Sequence, residues 1–187
     1  MNHLLGIAAA GYLLAAALTP TAASAYADGA PPGFSGGFGE GACDACHFHN
    51  EINAEPGRLT LAGVPERFTP GQRYTLTVTL ARPEMRNGGF QLAARLENGG
   101  AQAGTLAAAP GEEKRLAVDT ATGIQYARQR REGTRPAPPG MVRWEVVWTA
   151  PETRGTVQFH VAGNAGDNDD SVRGDYVYTA TAQSRSD

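Results

Sequence analysis

The chain has 187 residues, a formal net charge of −3 at pH 7 and 41% hydrophobic residues. That is enough apolar material for one domain with a core of its own. Charge is mixed, with no basic stripe, which argues against nucleic acid as a partner.

The first element is an apolar run from Leu4 to Leu18 without a charged residue, closed by Thr19-Pro20 and small residues. It is shorter than the roughly 20 residues a spanning helix needs. Ala23-Ser24-Ala25 fits an A-x-A cleavage site, and Ala25-Tyr26-Ala27 fits nearly as well, so residues 1–25 are expected to be a signal peptide. The n-region, Met1-Asn2-His3, lacks Lys and Arg, which keeps an uncleaved anchor open as the alternative. Cleavage leaves about 160 residues with no second long apolar stretch, hence an exported chain with no membrane span, periplasmic or secreted.

Residues 26–57 are expected to form an irregular segment. Asp28 to Gly41 is dominated by Gly and Pro and has too little apolar material to fold alone. It reads either as a flexible linker or as a wrap lying over a haem face, where glycines permit close backbone approach. At its end stands Cys43-Asp44-Ala45-Cys46-His47, containing the only two cysteines. C-x-x-C-H is the spacing that attaches haem c. Cys43 and Cys46 would add to the two vinyl groups, and His47 would reach the iron as proximal axial ligand. Two other readings stay open: a Cys43–Cys46 disulfide, natural in an exported chain, and a zinc site of Cys43, Cys46, His47 and His49. A thioredoxin-like role lacks its βαβ context.

Strand periodicity starts at Arg58. Tyr74 to Leu80 alternates bulky apolar residues with threonines; Trp144, Val146 and Trp148 alternate with polar residues, as do Val157, Phe159 and Val161. Asp175 to Thr181 is the last expected strand, with Tyr176 and Tyr178 on one parity. Shorter strands are expected at Leu59 to Leu61, Phe90 to Leu96, Ala103 to Leu106, Arg115 to Val118 and Gly123 to Ala127, and a turn at Phe68-Thr69-Pro70-Gly71. Around eight short strands with Gly/Pro turns predict an all-β fold, an antiparallel β-sandwich over residues 58–187 behind the irregular arm.

The stretch Phe68 to Val78 resembles the opening of a Reelin-type (Reeler) domain of bacterial exported proteins, often catalogued as choice-of-anchor V domains. Gly89-Phe90-Gln91-Leu92, Trp148-Thr149-Ala150-Pro151, Gly155 to Phe159, Ala162-Gly163-Asn164 and Gly174 to Tyr178 follow in the order of that family. The bacterial members also resemble this chain in a Gly/Pro-rich lead-in ending in C-x-x-C-H. The resemblance implies an immunoglobulin-like sandwich and says little about activity.

A haem at Cys43, Cys46 and His47 raises the question of a sixth ligand. His49 is too near His47 in sequence to reach the opposite face. His160 is the leading distal candidate, since it lies off the Val157/Phe159/Val161 parity and so on the outer face of its strand; Met85 and Met141 are weaker ones, and an open iron site is a further alternative. Asp167 to Asp170, with Asn164 and Asp175, offers oxygen ligands for calcium, but Val172 stands where an EF-hand loop needs glycine, so a polar loop between the last two strands is the plainer reading. Arg128, Arg130, Arg131 and Arg135 could meet haem propionates or an acidic partner, or simply be solvated. No Ser/His/Asp set, paired carboxylates or phosphate loop has convincing spacing, and four histidines make acid–base enzymes hard to build. The sequence therefore predicts a non-enzymatic exported protein with one covalent haem c, exchanging electrons with another extracytoplasmic redox protein. The alternative is a structural or adhesive Reeler-type module without haem.

Overall fold

The computed structural model describes residues 26–169 and 171–187; the expected signal peptide lies outside them. Ten strands form two sheets. β1 (Arg58–Ala62), β3 (Arg73–Ala81), β8 (Met141–Thr149) and β5 (Thr105–Ala108) make a four-stranded sheet in the order β1-β3-β8-β5. β2 (Arg67–Phe68), β10 (Tyr176–Ser186), β9 (Thr156–Gly166), β4 (Asn87–Leu96), β7 (Ile124–Gln129) and β6 (Leu116–Ala121) make a six-stranded sheet in the order β2-β10-β9-β4-β7-β6. All pairings are antiparallel except the short parallel contact of β2 with β10.

Period-two alternation produces the two layers. On the smaller sheet Leu76, Val78 and Leu80 of β3 face inward with Val142, Trp144, Val146 and Trp148 of β8. Phe90, Leu92 and Ala94 of β4, Val157, Phe159 and Val161 of β9, and Tyr178 of β10 meet them from the larger sheet. The two indoles organise this core. Trp148 meets Phe159 edge-to-face at 4.8 Å between ring centroids, and Trp144 packs on Phe90 at 4.5 Å. Each buried indole N–H donates to a loop carbonyl, Trp144 to Gly133 and Trp148 to Ala103, both at 2.9 Å, so neither donor is left unpaired.

β2 replaces part of the expected turn at Phe68, because the last residues of β10 supply a parallel partner. β9 and β10 run several residues past their apolar alternation, because they pair continuously from Tyr176↔Ala165 to Arg185↔Thr156. Ladder hydrogen bonding does not need apolar side chains, so strand length exceeds the hydrophobic pattern here.

Candidate functional site

The outward parity of the larger sheet is a third interface. Val177 and Asn164 are cross-strand partners, as are Thr179 and Ala162, and Thr181 and His160. β4 continues these rows with Gln91 beside Ala162 and Ala93 beside His160, and β7 adds Arg128 and Tyr126. Residues 26–57 contain no strand, only the 3-10 turn Cys43–Ala45, and they lie over this face. The segment is neither a free linker nor laid over a cofactor: it packs on the sheet itself.

Three sets of contacts hold the arm. Gln91 is 1% exposed and reads the arm backbone: its Oε1 accepts from Phe34 N at 2.6 Å, and its Nε2 donates to Ala30 O and Pro31 O. Glu40 accepts hydrogen bonds from Arg95 and from Tyr126 Oη, the latter at 2.5 Å, and from Ser35 Oγ at 2.7 Å. Ala42 packs with Ala162 and Val177 in a small apolar cluster of its own, which Cys43 joins. Beyond the motif, the chain caps the free edge of β10. Asn53 N donates to Val177 O and its Oδ1 accepts from Thr179 N, both at 2.9 Å.

This docking places the C-x-x-C-H motif. Cys46 N donates to Cys43 O at 3.1 Å, and His47 N donates to the same carbonyl at 2.9 Å. Both cysteines are free thiols, Cys43 half-buried and Cys46 exposed. Burial, followed by the Asp44 carboxylate, pushes the Cys43 thiol from 9.0 to about 12. His47 Nδ1 lies 2.5 Å from Asp175 Oδ2. Asp175 is 5% exposed and also accepts from Asn164 Nδ2 at 3.1 Å. The carboxylate therefore fixes the imidazole with its proton on Nδ1, leaving Nε2 with no hydrogen-bond partner among the described residues. Cys43, Cys46 and His47 line one cavity of about 180 Å3 whose walls include Pro31, Phe34, Phe90 and Asn164.

The donor types match those of a C-x-x-C-H haem attachment, while the cavity itself is smaller than a porphyrin. Two unpaired thiols, an imidazole with one nitrogen committed and the other free, and a largely apolar wall are what thioether attachment and axial ligation require. The zinc set is not assembled: among the described residues no group of three or more His, Cys, Asp or Glu side chains could hold a metal ion, and His49 is exposed and does not line the cavity.

The expected distal ligand is not brought to the site. His160 lies on the outer face, as its parity requires, but four residues along β9 from Asn164, about 13 Å away. Phe38 covers it edge-on with ring centroids 4.5 Å apart, and Gly37 passes directly over the ring. Its Nδ1 is buried without a partner, and burial followed by the Arg95 charge lowers its pKa. Met85 is buried in the core and Met141 opens β8 in the other sheet. Of the oxygen-rich loop, Asp170 lies outside the described residues. Among the described members, Asp175 turns to His47 and accepts from Asn164 Nδ2, while Asp167 and Asp169 accept backbone N–H bonds within their own loop. Of the arginines, Arg128 pairs with Asp119 at 2.5 Å, Arg130 donates to Leu116 O, and Arg131 approaches Asp28 at 4.0 Å.

The two packed sheets define a β-sandwich. The chain is similar to the human F-spondin reeler domain, at 21% identity over 74% of this chain and 95% of that one, with a TM-score of 0.50. It is equally similar to the Reelin-N domain of F-spondin, at 21% identity over 78% and 95% of the two chains and a TM-score of 0.50. No family model matches the chain, and no curated protein does. The likeness is one of fold. No helix among the described residues is long and apolar enough to cross a membrane.

Proposed function

We propose that this chain is an exported Reeler-type module that carries one haem c on its docked arm and exchanges single electrons with another extracytoplasmic redox protein. The observation that carries the reading is His47, whose Nδ1 is held by buried Asp175 while its Nε2 is free beside two free thiols. Cys43 and Cys46 would hold the haem as thioethers, each S–H adding across a vinyl group with sulfur on one carbon and hydrogen on the other. No oxidant is consumed. Bound haem supplies reversible one-electron iron chemistry. The protein's part is to orient His47 and to cover one edge of the site with Phe34, Phe90 and Pro31. Tyr26, Phe48 and Ile52 are exposed large apolar side chains, and all three belong to the arm. They supply apolar area for a transient partner around the motif.

The second reading, a structural or adhesive module without haem, is favoured by the likeness to the F-spondin domains. Intact mass after expression with haem-attachment machinery separates the two. Gain of one whole haem, with a Soret band that survives acid-acetone extraction, supports the first. Loss of two hydrogens, with no chromophore, marks a Cys43–Cys46 disulfide and sinks it.

A further inference from the structure

We propose a second site, independent of the haem reading: Arg86, Arg131 and Arg135 form a cleft that binds a small soluble phosphate monoester. The three side chains line one cavity of about 540 Å3, between the residue before β4, the 3-10 turn Arg131–Gly133 and the loop after that turn. Arg128 and Arg130 lie close to Arg131 in sequence but are engaged elsewhere, on Asp119 and on Leu116 O. The fold, not the basic run, therefore selects these three. Among the described residues no Asp or Glu lines the cavity, and neither Arg86 nor Arg135 has a carboxylate partner. Arg131 has only a distant one, Asp28 at 4.0 Å. Three like charges gathered without counter-ions repel one another, and an anion between them relieves that repulsion.

The frame that carries them is held by backbone hydrogen bonds. Arg86 N donates to Gly166 O at 2.9 Å, and Gly88 N donates to Thr134 O at 2.7 Å. Arg131 N donates to Asp28 Oδ1 at 3.1 Å, and Thr134 Oγ1 to Arg131 O at 2.9 Å. Asn87 Nδ2 donates to Asn168 Oδ1 at 3.2 Å, which turns both amides into the same cavity wall. A guanidinium presents paired N–H donors that match two oxygens of one oxyanion. A phosphate monoester has three terminal oxygens to share among three such forks, and carries about −1.5 to −2 charges at pH 7. A carboxylate offers two oxygens and a single charge. The cavity also leaves room for the organic part of an ester.

The test titrates the full chain, exported and purified in chloride buffer of low ionic strength, with phenyl phosphate. Calorimetry should show saturable binding at one site per chain, and the phosphorus-31 resonance of the ligand should broaden. Arg86→Gln, Arg131→Gln and Arg135→Gln should each weaken binding about tenfold. Their melting temperatures should match the parent, since the backbone bonds of the frame are untouched. Arg73→Gln, at an exposed position opening β3 in the other sheet, should leave binding unchanged. No saturable binding, full affinity in any of the three variants, or an equal loss in Arg73→Gln overturns the site. Benzoate binding as tightly as phenyl phosphate overturns the ligand class. Binding to vesicles containing phosphatidic acid, with none to phenyl phosphate, overturns the soluble source. None of these outcomes touches haem attachment, which is read separately by intact mass.

Discussion

Gly37 crosses His160 with no room for a side chain: a Cβ at that position would lie 2.1 Å from the imidazole ring. The arm and the larger sheet are fitted to each other at this point. Phe38, the next residue, meets the same ring edge-on and lies under the Arg95 guanidinium.

Gly37→Ala should therefore act as overpacking and cost about 1–3 kcal/mol. Thermal unfolding measures the loss. Limited proteolysis should show cleavage within the arm before the sandwich is attacked. An unchanged melting temperature would mean the arm can lift off without cost.

Glu40 and Arg95 form an ion pair with side chains only 13% and 12% exposed. Glu40→Ala leaves Arg95 with its charge and no counter-ion beneath the arm, a loss of about 3 kcal/mol. Hydrogen exchange should rise selectively over the arm backbone that Gln91 and Glu40 hold. Restoration by a second change, Arg95→Met, tests the electrostatic cause, since the uncompensated charge is then gone.

His160 makes the docked arm acid-sensitive. Its folded pKa is lowered from 6.5 by burial and by Arg95, so below that value the unfolded chain binds a proton that the folded chain refuses. Stability then falls as pH drops through the ordinary histidine value. The melting temperature should decline between about pH 7 and pH 5, and His160→Gln should flatten that part of the curve. A slope identical in the variant would assign the acid response to other groups.

The two thiols of the haem-free protein should differ in reactivity. With its pKa at about 12, Cys43 is a thiolate to about one part in 10⁴ at pH 8, while exposed Cys46 is open to reagent. Iodoacetamide should label Cys46 first, read by peptide mass. The raised value also has a stability sign. Stability present below 9.0 is lost as pH rises from there toward 12, because the unfolded thiol ionises first. Cys43→Ser should remove that alkaline slope.

Asp175→Asn should leave the fold intact and change the ligand. The imidazole of His47 loses a carboxylate acceptor and becomes a weaker donor to metal. In the haem-loaded protein the reduction potential should rise; in the haem-free protein the nitrogen-15 shifts of His47 should show a redistributed tautomer. An unmoved potential would make the His47–Asp175 contact purely structural.

The sandwich was legible because period-two alternation encodes burial directly. Trp144, Val146 and Trp148 could only face a core, and they do. The arm was less legible. Its Gly and Pro content does not show what it lies on; what holds it is the outer face of the sheet, where Gln91, Arg95 and Tyr126 contact it from 55 to 86 positions away. The motif announced His47, but Asp175 lies 128 positions away and read more naturally as part of an oxygen-rich loop. His160 lies away from the motif's cavity for a related reason. Strand parity places a side chain on a face and says nothing of its position along that face.

The arm docks on β9 and β10, the last two strands of the chain. Synthesis runs from residue 26 toward residue 187, so the motif exists long before the surface that receives it. During that interval Cys43 has no Ala162 or Val177 to pack against, and its sulfur is as open as that of Cys46. Chemistry at the two sulfurs thus has a natural deadline, set by completion of the C-terminal hairpin. A modifying enzyme that arrives after that hairpin closes meets Cys46 exposed but Cys43 half-buried.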